Sequence, residues 1–413
     1  MPKIAEIMSP AGSFESMQAA INAGCDSVYF GVEQLNMRAR SAHNFKVSDL
    51  PEIARKAKNA KIKTYIALNT ILYQHDLPLM QKIVSTAKES GISALIAADI
   101  AGIQYAYSIG MPVHISTQLS VSNYEAVKFY AQFADTIVLA REVDLDLMKQ
   151  ITEKIREDNL KGPSGELIKI EVFVHGALCI AQSGRCQMSL LQNNTSAQRG
   201  ACLQECRKSY KITDEETGKE MQIRDGFVLS PKDLCTIDFL DKIIASGVSI
   251  LKIEGRGRSS EYVDTTTRCY REAVEAIAAN KFTQEKINNW KKELAKVYNR
   301  GFTDGYYLGK KLPDWSESSG NQATEERIFA GLVSHYFDKA QVAEIKLQAK
   351  GIKKGDKLSF IGSTTGVVYA NIEEIMLDDK LVNEAKNPTT VTLKIPTKVR
   401  RNDKVYILQN RPV

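Results

Sequence analysis

From the N-terminus to about residue 310, short runs of β-branched and aromatic residues alternate with stretches whose apolar positions recur every three or four residues. This is the pattern of repeated βα units around a parallel sheet. The runs fall at 4–8, 27–32, 63–68, 94–98, 113–117, 136–140, 169–174 and 249–253. Eight strands fit a closed, TIM-like (βα)8 barrel better than an open doubly wound sheet. Between them, Phe14, Met17, Ala20 and Ile21 form one helical stripe stopped by Gly24, and Met80, Ile83, Val84 and Ala87 form another before Gly91. A last barrel helix is predicted over 262–278, followed by an amphipathic one carrying Ile287, Trp290, Leu294 and Val297 on one face.

The βα rhythm lapses in two places. After the seventh strand, residues 176–234 read as an insertion: a cysteine-bearing loop, then a polar, hairpin-like segment at 210–227 around the turn DEETGKE. A barrel carries its active site at that strand end, so an insertion this long reads as functional. Residues 309–327 are polar and nearly free of aliphatic side chains, which marks a linker. From 328 to 413 the pattern is short strands with glycine turns, predicting a small C-terminal antiparallel β-barrel domain. The expected parts are therefore a catalytic barrel (1–308), a linker (309–327) and the β-barrel (328–413).

A length of 413 residues suits two or three domains at about 150 residues each. With 43% hydrophobic and 25% charged residues, the composition excludes a disordered chain. The net charge of +6 tolerates a polyanionic partner without requiring one. No apolar stretch reaches the roughly 18 residues of a bilayer span, and the N-terminus soon turns polar, so a cytoplasmic protein without membrane contact is expected. Five of the seven cysteines, Cys179, Cys186, Cys202, Cys206 and Cys235, cluster around the insertion. Without an export signal, that points to a metal or redox site before disulfides. Cys25 and Cys269 lie in or beside helical patterns as ordinary buried thiols. Zinc favours paired knuckles, which only Cys202 and Cys206 approximate, while an iron–sulfur cluster tolerates wider spacing. Spacing leaves iron–sulfur, zinc and unmetallated thiols open.

Polar residues at the strand ends supply the candidate chemistry. Arg38 follows strand two, Asn69 ends strand three, Gln118 follows strand five, Arg141 ends strand six and His175 ends strand seven. Asn69, Arg141 and His175 are the catalytic candidates, with Arg38 and Gln118 binding substrate. The segment from Glu254 to Ser260 (EGRGRSS) joins the last strand to a helix. There Glu254, Arg256 and Arg258 suggest anion binding through guanidinium forks and the helix N-terminus. In the tail, Lys398, Arg400 and Arg401 belong to a basic run opposed by one acid, Asp403, and suit a phosphate-tracking RNA surface. His43, His75, His114, His175 and His335 stand isolated, and neither a metalloprotease helix motif nor a serine elbow is present. A cysteine protease pairing Cys179 with His175 is open on composition. Five clustered thiols exceed that job, however, and peptidase activity is not expected.

The run EVFVHGALCIAQSGRCQMS (171–189) resembles the signature of the collagenase-like peptidase family U-32. The flanking segments SPAG (9–12), MRAR (37–40), ARE (140–142), KIEGR (252–256) and NRGFT (299–303) agree, so the resemblance spans nearly the whole chain. Within that family, a barrel with one small β-domain is similar to members that make 5-hydroxyuridine at the tRNA wobble position, using prephenate instead of molecular oxygen. The tail itself looks similar to the β-barrel second domain of translation factors. The resemblance implies a 4Fe-4S cluster on Cys179, Cys186, Cys202 and Cys235, with Cys206 as the extra candidate. It also implies tRNA as partner and prephenate or a similar dicarboxylate as hydroxyl donor. The expected function is thus an iron–sulfur tRNA uridine hydroxylase whose tail docks the RNA and whose pocket takes an unstacked base. The alternative is a collagenase-like peptidase, or a hydroxylase of another RNA or a small metabolite.

Overall fold

Eight parallel strands close on themselves in the computed structural model, which describes residues 5–40, 43–220, 229–310, 314–317 and 320–411. They are β1 (Glu6–Pro10), β2 (Ser27–Gly31), β3 (Lys63–Leu68), β4 (Ala94–Ala97), β5 (Val113–Ile115), β6 (Thr136–Val138), β7 (Lys169–Ala177) and β9 (Ile250–Ile253). The strand between the last two, β8 (Asp233–Cys235), lies outside the ring. β9 pairs in parallel with both β7 and β1, which closes the barrel. Because side chains fill the inside and helices cover the outside, these strands read as nearly unbroken apolar runs. All five residues of β2 are buried.

The outer ring comprises α1 (Phe14–Asn22), α2 (Leu50–Ala60), α3 (Leu77–Glu89), α4 (Ile100–Ser108), α5 (Tyr124–Tyr130) and α6 (Leu145–Glu157). Polar caps set the starts: Ser13 accepts from the Ser16 amide, Asp99 from Ala101, Asn123 from Ala126 and Asp144 from Leu147. Proline in the first turn opens α2 and α3. A short α7 (Met188–Asn193) belongs to the insertion. The ring is completed by α8 (Leu240–Ala245) and α9 (Ser260–Ala278), with α10 (Gln284–Lys296) packed on α9.

The insertion leaves and re-enters at one place. β8 runs antiparallel to the end of β7, with Gly176 opposite Leu234 and Ala177 opposite Asp233, and β10 (Phe302–Thr303) adds to β8 in parallel. Thr213 and Glu220 bridge across the predicted turn, and the rest of that hairpin-like segment, 221–228, lies outside the described residues. Of the predicted linker, 311–313 and 318–319 lie outside the described residues, and 314–315 are held against this base: the Lys232 amide donates to the Asp314 carbonyl at 2.8 Å, and Pro231 bridges Trp315.

The C-terminal region departs from expectation. Its strands are β11 (Glu325–Phe337), β12 (Val342–Leu347), β13 (Ile352–Lys353), β14 (Lys357–Gly362), β15 (Gly366–Asn371), β16 (Ile375–Leu377), β17 (Lys380–Val382), β18 (Glu384–Ala385), β19 (Thr390–Lys394) and β20 (Lys404–Asn410). Eight form one antiparallel sheet in the order β15-β14-β20-β11-β12-β19-β16-β17, and β13 pairs with β18 in a separate ribbon. The sheet is open, so the predicted closed β-barrel is corrected to an open sheet whose end strands β15 and β17 do not pair. The β15 end is instead covered by the catalytic barrel. Ala19 of α1 packs with Ile361 and Val367, and the Asn22 side chain donates to the Thr365 carbonyl at 2.9 Å. Among the described residues, no helix is long and apolar enough to cross a membrane.

Candidate functional site

At the C-terminal ends of the barrel strands lies a cavity of about 120 Å³. Arg38, Asn69, Gln118, Arg141, Glu254 and Arg256, all singled out in the sequence, line it together. Cys179, Cys186, Cys202 and Cys206 face it from the insertion. Asn69 and Gln118 form its amide wall: the Asn69 Oδ1 accepts from the Met37 amide at 3.1 Å, and its Nδ2 donates to Gln118 Oε1 at 3.1 Å.

Glu254 organises the cations. It accepts from the Tyr29 hydroxyl at 3.0 Å and from Arg38 Nη2 at 3.3 Å. Burial alone would raise its carboxyl, but Arg38, Arg141 and Arg256 outweigh burial and draw the value down to about 2. Arg256, 5% exposed, donates from Nη1 to Asn36 Oδ1 at 3.1 Å. A Cβ on residue 31 would lie 2.5 Å from that Nη1, so glycine there lets the guanidinium in. Arg141 donates to the Ala177 carbonyl at 2.5 Å and stacks 3.9 Å above the Phe173 ring.

Beneath the cavity floor lies a network that sequence reasoning missed. Lys252 Nζ donates to Glu171 Oε1 at 2.6 Å, and the other oxygen of Glu171 meets His114 Nδ1 at 3.0 Å. Burial pushes the Glu171 carboxyl up, but Lys252 and His114 more than offset it, leaving a value of about 2. Further along, Tyr65, whose ring lies 4.4 Å from that of His114, donates to Glu6 at 2.8 Å, and Glu6 pairs with Lys63 at 2.7 Å. The signal was a lone charge inside an apolar strand run, as in KIEVFV and ILKI. Such a charge persists in a barrel interior only when partnered.

Two predicted residues stand apart from the cavity. Period-two alternation would put His175 on the same face as Glu171 and Phe173, but the β7–β9 register shifts between Phe173 and His175. The irregularity turns the imidazole among Tyr262, Tyr270 and Phe302. There burial, with Arg258 adding to it, depresses its pKa to about 3, so it stays neutral. The weighed Cys179–His175 pair is not assembled. Arg258 stacks on Tyr298 at 3.5 Å, beside a smaller crevice of about 40 Å³.

The cysteines divide differently from the implied ligand set. Cys235 is 4% exposed, sits opposite His175 in the β7–β8 ladder, and is pushed up to about 11 chiefly by burial. Cys206 lines the cavity in company with Cys179, Cys186 and Cys202. Among the described residues, no group of three or more His, Cys, Asp or Glu side chains is placed to hold a metal ion. Of the implied set, Cys179, Cys186 and Cys202 line the cavity and Cys235 does not. In the tail, Lys398 pairs with Asp338 at 2.7 Å, Arg400 donates to Thr365 Oγ1 at 3.2 Å, and Arg401 is exposed.

The chain is thus a closed (βα)8 barrel with a thiol- and guanidinium-lined pocket at the strand ends, the place where enzymes of this fold carry their active sites. Residues 12–317 match the family model of peptidase family U32, and the chain belongs to that family. It is 46% identical over 406 residues to a collagenase of Porphyromonas gingivalis, covering 98% of each chain. It is 36% identical to an uncharacterized protease of Methanocaldococcus jannaschii, covering 99% of both. Identity to tRNA hydroxylation protein P1 of Bacillus subtilis is 30%, covering 97% of this chain and 93% of that one. These similarities overturn two expectations. The kinship of higher identity is to collagenases and a protease instead of the tRNA-hydroxylating branch, and peptidase activity cannot be set aside. The iron–sulfur, prephenate-dependent tRNA hydroxylase reading falls with them, since neither the relatives of higher identity nor the placement of the thiols supports it.

Proposed function

We propose that the chain is a peptidase acting on collagen-like or denatured polypeptide. The observation that carries this reading is the 46% identity, along essentially the full length of both chains, to the Porphyromonas gingivalis collagenase. The cavity supplies suitable chemistry: thiol nucleophiles on the insertion, and a guanidinium donor at Arg38 able to stabilise the oxyanion formed when a carbonyl is attacked. With His175 buried elsewhere, no imidazole shares this cavity among the described residues. The test is digestion of gelatin, soluble collagen and casein by the purified chain, with new N-termini read by mass spectrometry and with Cys179→Ala and Cys202→Ala as controls. Cleavage lost in a thiol variant supports the reading. No cleavage in reduced, oxidised or metal-supplemented buffer overturns it.

A soft metal on the thiols is a separate proposal. Four thiols around one cavity are the donor type that zinc and iron clusters use, though the insertion would have to close further for them to share it. Metal and sulfide analysis of anaerobically purified protein tests this, and metal-free protein counts against it. We also place the protein's work in the cytoplasm, where reductants keep thiols free, because all seven cysteines are unpaired.

A further inference from the structure

The charges around the cavity do not balance. Lys252 is matched by Glu171 beneath the floor, and Glu254 offsets one of Arg38, Arg141 and Arg256. Two of these guanidinium charges are left unmatched at the cavity, in addition to Arg207. The hydrogen bonds fall short in the same place. The Nε atoms of Arg141 and Arg256 are buried with no partner among the described residues, although each side chain is otherwise anchored, Arg141 on Ala177 and Arg256 on Asn36. Buried cations with idle donors are costly unless something of opposite charge completes them. The insertion's own charged residue at the cavity, Arg207, cannot do so. It is a cation already engaged by the Leu178 and Pro231 carbonyls.

We infer that this cavity is a carboxylate-recognition pocket in which Arg256 and Arg141 receive a carboxylate group of the substrate. A cavity of about 120 Å³ is room for a carboxylate on a short carbon stem. Planar guanidiniums match such a group in a way an ammonium does not. The inference rests on the peptidase reading for its substrate class: a peptide offering either an Asp or Glu side chain or a free C-terminus beside the thiols. The same chemistry could come from a free small acid, and the two sources are separable.

In the first arm, glutarate, N-acetylglutamate and glutaramide, which carries no carboxylate, are titrated into the purified chain by calorimetry. The two acids are expected to bind, with the amide weaker by roughly tenfold to a hundredfold, the range for losing a charged hydrogen bond. Arg256→Lys, which keeps the charge and loses the fork, is expected to weaken N-acetylglutamate at least about tenfold. If the acids bind no better than the amide to the wild-type chain, the pocket assignment is overturned, whatever the variant does. The second arm compares cleavage of matched peptides carrying Glu or Gln and free or amidated C-termini. Cleavage confined to carboxylate-bearing peptides supports the inference. Cleavage indifferent to them overturns it while leaving the peptidase reading intact. Acid binding with no cleavage of any peptide overturns the peptide source and the peptidase reading, and leaves a free acid as the ligand.

Discussion

Replacing Glu171 by Gln should destabilise the barrel more than any surface change could. The carboxylate is wholly buried and bonded to Lys252 at 2.6 Å and His114 at 3.0 Å. Gln keeps the shape but removes the charge, leaving the Lys252 ammonium, 4% exposed, without a counterion. Breaking a buried pair from one side costs about 3–5 kcal/mol. An independent route agrees: a carboxyl drawn from 4.5 to about 2 by folding is worth about 3 kcal/mol. For a barrel of this size that is a fall in Tm of roughly 6–15 °C, measurable by circular dichroism at pH 7. Because the folded value lies below the unfolded one, the stabilisation is complete above about pH 4.5 and is lost as pH falls toward 2. The Gln variant should lack that part of the acid slope. Replacing both partners, Glu171→Leu with Lys252→Met, should recover most of the loss, since no lone charge is left buried. A single Gln variant melting within about 2 °C of the wild type at pH 7 would refute the reasoning.

Thiol labelling of the native protein with iodoacetamide should modify Cys179 and Cys202 first, reach Cys186 and Cys206 more slowly because burial pushes their thiols upward, and spare Cys25, Cys235 and Cys269, which are buried outright; equal labelling of Cys235 and Cys202 would contradict this placement. Burial pushes the Asp264 carboxyl up to about 6, with Arg268 opposing and Glu261 adding to the rise. The ionised form therefore strains the fold increasingly as pH rises from about 4 to 6, and Asp264→Asn should raise stability by about 3 kcal/mol at pH 8 and by well under about 1 kcal/mol at pH 4, read from urea melts. Arg207→Ala removes the donor shared by Ser230 Oγ, at 3.1 Å, and the Leu178 and Pro231 carbonyls. Thermolysin nicking within 178–232 should quicken by roughly tenfold, and an unchanged rate would show that Arg207 does not pin the insertion.

The barrel was legible because its strands are buried on both faces and so stand out as compact apolar runs such as TYIAL and ALIA. The mouth residues were legible for a related reason: Asn69 and Arg141 fall just where such a run stops. What the sequence hides are departures from regular pairing. The irregularity after Phe173 swings His175 out of the lumen, and no residue type in VFVHGA announces it. Cys235 looks like a loop thiol, yet it is held in a ladder with β7. The tail strands were recognisable, but closure of a sheet depends on what its edges meet, and Val367 at the β15 edge meets Ala19 from the other domain. Lys252 and Glu171 went unweighed because each is ordinary alone and makes sense only as a pair that the fold brings together across 81 positions of chain.

The side-by-side exit and return of residues 178–232 gives the barrel a replaceable cassette. Gly176 and Ala177 leave the barrel directly opposite Leu234 and Asp233, so the ring is already complete beneath whatever is spliced between them. The entropy of closing a loop grows only slowly with its length. A longer, shorter or wholly foreign segment could therefore be grafted at that seam while the arginines and the carboxylate below kept their places. Within such a lineage, new specificities would be expected to arise by exchanging this segment far more readily than by rebuilding the strands that carry it.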